Sequence, residues 1–159
     1  MLETLDPGTA QVILRQVVLH DGEGGQLRDG LEESFWPDGS ARSERIFALG
    51  EPRGHWRSWW PDGTLRSEQE HRADGEPSRL SFYHQSGGLQ AQGESLGSGE
   101  RAGEWRFYRA DGSLEKRGGY VGGQAHGLWV HLDPSGRVSA EGRLEAGQRV
   151  GEWSVGRQE

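Results

Sequence analysis

Large apolar residues recur along this chain at a fixed spacing. Trp56, Leu80, Trp105, Trp129 and Trp153 form one column, with steps of 24, 25, 24 and 24 residues. Gly39, Gly63, Gly87, Gly112 and Gly136 form a second, with steps of 24, 24, 25 and 24. Two independent columns keep one period, and the extra residue falls between the same two units in both. A period in the twenties with one supersecondary unit per repeat is the signature of a repeat array. The fullest unit, residues 103–127, reads GEWRFYRADGSLEKRGGYVGGQAHG. Trp105, Phe107 and Tyr108 lead into Ala110-Asp111-Gly112, and residues 114–120 lead out, which predicts a β-hairpin and its exit loop. The units run over 30–53, 54–77, 78–102, 103–126 and 127–150, and 151–156 begin a sixth half-unit. The expected fold is all-β, a single twisted sheet in an antiparallel hairpin meander.

The turn chemistry sets the register. Asp-Gly alone suggests a two-residue type I′ turn, but Pro37, Pro61 and Pro134 stand at the second turn position. A φ fixed near −65° suits position i+1 of a type I turn, with glycine following in the left-handed region as a bulge. Three-residue loops are therefore predicted, with Gly39, Gly63, Gly87, Gly112 and Gly136 as structural turn residues. They place Phe35, Trp59, Tyr83, Tyr108 and Leu132 opposite Ala41, Leu65, Leu89, Leu114 and Val138. Counting by twos along the returning strands adds Ser43, Ser67, Ala91, Lys116 and Ala140, then Phe47, His71, Ser95, Tyr120 and Leu144, to the same, more apolar face. The alternate positions carry compensating charges such as Arg42/Glu44, Arg66/Glu68 and Glu115/Arg117, as a solvated sheet face requires. Trp105 and Tyr108 are three apart, so either a bulge or bend separates them or both faces carry aromatic rings.

Residues 1–29 fall out of phase. Residues 10–19, AQVILRQVVL, are the best strand candidate there, and 20–30 read as a loop. The segment is too short to build its own core, so a degenerate first hairpin or cap is expected.

Glycine supplies 27 of 159 residues, a content that would suggest disorder were the glycines not in register with seven tryptophans. The net charge of −7 disfavours both a nucleic-acid surface and an anionic membrane surface as partners. The lack of cysteine excludes thiol catalysis and disulfides. It also suits a reducing compartment, so with no secretory signal at the first residues a cytoplasmic setting is expected.

Little chemistry stands out. Residues 93–97, GESLG, match G-x-S-x-G, but that motif needs a strand entering a helix, and SGERAG beyond it is loop. His131, Asp133 and His126 are close in sequence, yet His131 shares a column with Phe82, Phe107 and Val155, which favours packing over ligation. No catalytic residue, metal ligand or cofactor is therefore expected.

The unit G-x-W-x-x-Y-x-x-D-G-x-L-x-x-x-G-x-Y-x-x-G-x-x-x-G resembles the MORN-variant repeat. It is complete in 103–127 and partial in 54–75 and 127–151, while the units at 30 and 78 carry Glu32 and Leu80 in place of tryptophan. The resemblance implies a twisted antiparallel meander without catalytic residues. It also implies a protein-binding role, either as an antitoxin or immunity protein of the YwqK-like kind, facing a toxin or effector, or as a scaffold. The alternatives are a hydrolase-like enzyme or a lipid-associated scaffold. Candidate contact residues are Trp56, Trp105, Trp129 and Trp153 with Arg57 and Arg106, and the variable column Trp36, Trp60, His84, Arg109 and Asp133. Trp105 itself is expected to be structural.

Overall fold

A computed structural model describes residues 1–9, 11–20, 25–72, 76–96 and 99–156. Every regular element among them is a β-strand. The chain divides into two compact units, Met1–Asp74 and Gly75–Glu159. The first holds β1 (Leu2–Leu5), β2 (Val12–His20), β3 (Gln26–Phe35), β4 (Ala41–Ala48), β5 (Glu51–Trp59) and β6 (Leu65–His71). The second holds β7 (Ser78–Tyr83), β8 (Leu89–Ser95), β9 (Arg101–Tyr108), β10 (Leu114–Val121), β11 (Gln124–Leu132), β12 (Val138–Glu145) and β13 (Gln148–Val155). Within each unit every strand pairs antiparallel with its neighbours in sequence, so each is a hairpin meander.

Residues 1–29 supply β1, β2 and the start of β3. β1 pairs with β2, and β2 with β3. The loop expected over 20–30 is shorter than composition suggests. Residues 21–24 lie outside the described residues, but Gln26 onward is strand. Its polar residues take part in the ladder because one face of this sheet is solvated.

The hairpin turns have the three-residue form. In the fourth unit the Gly112 N–H donates to the Arg109 carbonyl at 2.9 Å, and the Arg109 N–H donates to the Ser113 carbonyl at 2.9 Å. Gly112 sits at φ 84°, the left-handed conformation that closes a type I turn with a bulge. The same pair of bonds recurs at the turns of Gly39, Gly63, Gly87 and Gly136. Phe35, Trp59, Tyr83, Tyr108 and Leu132 pair with Ala41, Leu65, Leu89, Leu114 and Val138, as the turn geometry predicts.

One residue further in, the expected facing fails. Ser34 pairs with Ser43, Ser58 with Ser67, Phe82 with Ala91, Phe107 with Lys116 and His131 with Ala140. Arg42, Arg66, Gln90, Glu115 and Ser139 are each an extra, bulged residue, which shifts the phase of the returning strand by one. Ser43, Phe47, Lys116 and Tyr120 therefore share a face with the tryptophan column, and the Phe35/Tyr108 column alternates to the other side. Ring contacts agree: Trp105 lies 6.1 Å from both Phe107 and Tyr120, and Trp56 lies 5.0 Å from Phe47 and 4.3 Å from His71. Both faces carry aromatic rings, and there is no bend between Trp105 and Tyr108.

Among the described residues, three links between hairpins are two-residue turns. Leu49-Gly50, Gly122-Gly123 and Ala146-Gly147 all have positive φ at both positions, as a type I′ turn demands. Between β8 and β9 the link is one residue longer. There the Gly99 N–H bonds to the Leu96 carbonyl and the Leu96 N–H to the Glu100 carbonyl, both at 2.8 Å. That longer link is the source of the single 25-residue step.

Candidate functional site

The tryptophan-bearing face owes its form to glycine. Gly93 and Gly118 lie beneath Trp105 and Trp129, and Gly142 lies beneath Trp153. A Cβ built on Gly93 would come within 2.5 Å of the Trp105 indole, and one on Gly142 within 2.5 Å of Trp153, so each ring lies flat on bare backbone. Trp105 is fully buried and Trp129 is 5% exposed. The indole N–H of Trp105 donates to the Glu94 carbonyl at 2.9 Å, and that of Trp56 to the Ile46 carbonyl at 2.9 Å. Trp56, Trp105, Trp129 and Trp153 are thus principally the packing of their own sheet.

In the second unit the rings form a ladder. Phe82 lies 6.2 Å from Trp105, Phe107 lies 6.0 Å from Trp129, and Tyr120 bridges Trp105 and Trp129 at 6.1 and 5.5 Å. In the first unit, the positions of Phe82 and Phe107 are held by Ser34 and Ser58, whose hydroxyls pair with Ser43 and Ser67 at 2.7 and 2.6 Å. Phe82/Ala91 and Phe107/Lys116, which stand where the first unit has those serine pairs, line a groove of about 330 Å³. His84, Gln90, Arg101, Tyr108 and Glu115 also line it.

The arginines beside the indoles are not those that sequence proximity suggests. Arg106 lies on the other face, bonded to Glu104 at 2.9 Å, and Arg57 is paired across strands with Glu44 and Glu68. Arg101 instead stands 4.5 Å from Trp105, Arg149 4.2 Å from Trp153, and Arg45 5.3 Å from Trp56. Arg101 also donates to the Tyr120 hydroxyl at 3.0 Å. The signal was in the chain: Arg101 and Arg149 both occur as R-x-G-x-W, and Arg28 as R-x-G-x-E. Positions i, i+2 and i+4 share a face, and glycine in the middle leaves room for the guanidinium to reach across to the ring.

The variable column behaves differently. The His84 Nε2 lies 2.9 Å from the Tyr108 carbonyl oxygen, and Arg109 donates to the carbonyls of Leu132 and, at 3.5 Å, Asp133. Each thus ties one turn to the next. Trp36 and Trp60 lie under Arg42 and Arg66, both at 4.8 Å. Asp133 accepts from the Ser135 hydroxyl at 2.7 Å and the Ser135 and Arg137 N–H groups at 2.8 and 3.0 Å, which holds its carboxyl below the usual range.

Burial pushes the His71 imidazole below its ordinary pKa against Trp56. His131, 5.9 Å from Trp153, is lowered by burial and then by Lys116 and Arg149. Among the described residues no group of three His, Asp or Glu is placed to hold a metal ion. In the G-x-S-x-G stretch Gly97 lies outside the described residues. Ser95 is fully buried, and its hydroxyl donates to the Leu96 carbonyl at 3.1 Å.

The fold and this face define a β-hairpin repeat protein. Residues 52–72, which span most of β5, its turn and β6, match the family described as MORN repeat variant. No curated protein matches the chain. The hairpins β3–β4, β7–β8, β9–β10 and β11–β12 repeat the turn, bulge and register of the matched one.

Proposed function

We propose that the chain is a non-catalytic repeat module that binds another protein through the tryptophan-bearing face of its second unit. The observation that carries this reading is the groove between Phe82 and Phe107. Two half-buried phenylalanine rings beside Tyr108 and Arg101 bring together the aromatic and arginine side chains enriched at protein interfaces. The similarity of one hairpin to the MORN repeat variant supports a binding array, and an antitoxin or immunity role against a toxin is the finer reading. A membrane-scaffold role is disfavoured by the net charge of −7.

The test is calorimetric titration with a partner purified from the native host, using Phe107→Ser, which installs the residue found at the matching positions Ser34 and Ser58. Phe107→Ser should weaken binding at least tenfold, about 1.4 kcal/mol, while Arg57→Glu on the other face leaves it unchanged, and the partner should be recovered chemically intact. The reverse ranking of the two variants, or conversion of the partner, overturns the proposal.

A further inference from the structure

Resting on that reading, we infer that the groove in the second unit recognises an acidic segment of its partner, with a carboxylate held between Arg101 and Lys116. The internal repetition carries this. Arg28 and Arg101 are equivalent, each four residues before the tryptophan column, and each lies over the ring of an equivalent aromatic residue. Arg28 stands 4.9 Å from Phe47 and Arg101 5.3 Å from Tyr120. In the first unit the column position itself is Glu32, only 7% exposed, whose carboxylate lies 3.5 Å from Arg28 and 3.7 Å from Arg45. The chain therefore supplies its own carboxylate to that arginine.

In the second unit Trp105 takes the place of Glu32, and no carboxylate replaces it. Arg101 is held by three rings and the Tyr120 hydroxyl, and Lys116 lies 5.0 Å from the Phe107 ring. Among the described residues neither cation has a carboxylate within ion-pairing distance, although the chain carries 25 acidic residues. Glu115 lines the same groove but is solvent-exposed and pairs with neither. Two cations fixed over an aromatic floor form a site for a carboxylate whose neighbouring apolar side chain rests on Phe82 and Phe107. An extended acidic peptide meets that description. An anionic membrane fits it poorly, because the remainder of the chain repels one.

The experiment uses the whole chain, ¹⁵N-labelled, and three probes: the acetylated, amidated hexapeptides (Glu-Leu)₃, (Gln-Leu)₃ and (Lys-Leu)₃. The acidic peptide should shift amide resonances of residues 82–91 and 101–116 with Kd on the order of 1 mM, and the other two should not. Lys116→Gln should weaken it about threefold, and Lys116→Glu about tenfold. Both changes are at a half-exposed side chain, so an unchanged spectrum of the free variant shows that the fold is kept. Equal shifts from the glutamine or lysine peptide overturn the acidic specificity while leaving the protein-binding module standing. Absence of groove shifts with all three overturns this inference, and the Phe107→Ser titration then decides the module separately. Binding only to phosphatidylserine vesicles, or concentration-dependent shifts at these residues without peptide, indicating a second copy, also overturns it.

Discussion

Replacing Gly93 by alanine should damage the fold far more than a methyl group in a strand ordinarily does. The new Cβ would stand 2.5 Å from Cδ1 and Cε2 of Trp105, where carbon atoms need about 3.5 Å or more. One of the two must move by about 1 Å. The indole has nowhere to go: it is fully buried, its N–H is bonded to Glu94, Arg101 covers it at 4.5 Å, and Phe82, Phe107 and Tyr120 surround it. A 1 Å shift stretches the bond to Glu94 beyond hydrogen-bonding reach, leaving a buried donor unpaired at about 1–3 kcal/mol. Forced repacking costs about 1–3 kcal/mol, and the lower entropy of the unfolded alanine chain offsets about 0.4–1 kcal/mol. The net loss should fall between about 1 and about 5.6 kcal/mol, centred on about 3 kcal/mol. Gly88→Ala is the control, since its Cβ would meet only the Ala110 carbonyl at an ordinary 3.8 Å and its φ is not positive. It should be neutral or slightly stabilising. Urea denaturation followed by tryptophan fluorescence and far-UV circular dichroism separates the two, and coincidence of the probes tests whether unfolding is two-state. Combining Gly93→Ala with Trp105→Leu should cost at least about 1 kcal/mol less than the sum of the single changes. Equal midpoints for Gly93→Ala and Gly88→Ala would refute the ring-on-glycine packing.

Gly112→Val should cost about 1–2 kcal/mol through its left-handed backbone alone, and Asp111→Ala should cost less; equal, negligible changes in denaturation midpoint would show the turn to be permissive. Arg109→Ala should lower stability by about 1 kcal/mol and leave partner affinity intact, because its side chain bonds the following turn and does not line the groove; loss of affinity at unchanged stability would return that column to the binding site. Asp38 and Asp111 are held below the usual carboxylate range by the hydroxyls and then the N–H groups of Ser40 and Ser113, and Asp133 by the Ser135 hydroxyl and then the Arg137 N–H. A depressed carboxylate pKa stabilises the fold above the unfolded value near 3.8 and ceases to do so as pH falls through the folded value, so urea midpoints should drop below about pH 4. Ser113→Ala should raise the Asp111 pKa measured by NMR. His71, also lowered, favours its neutral form when folded, so acidification through its folded pKa should destabilise the wild type more than His71→Phe.

The chain by itself determined the repeat and the turns. Gly39 to Gly136 and the prolines before them act through local φ preferences, and those propagate as far as the first cross-strand pair, Tyr108 with Leu114. Which face each residue occupies was decided one step further on. The bulged residues Arg42, Arg66, Gln90, Glu115 and Ser139 have no side-chain chemistry in common, so nothing local marks them. The bulge is a property of how two strands twist together, and one extra residue reverses every facing beyond it. That reversal united Trp105 with Lys116 and Tyr120, while Arg101 and Phe107 reach the indole, and Arg106 does not, through the period-two alternation of their own strand. Glycines 93, 118 and 142 could have been noticed eleven or twelve residues before their tryptophans, but only the antiparallel pairing shows why: a ring can lie on backbone only where the strand beneath has no Cβ.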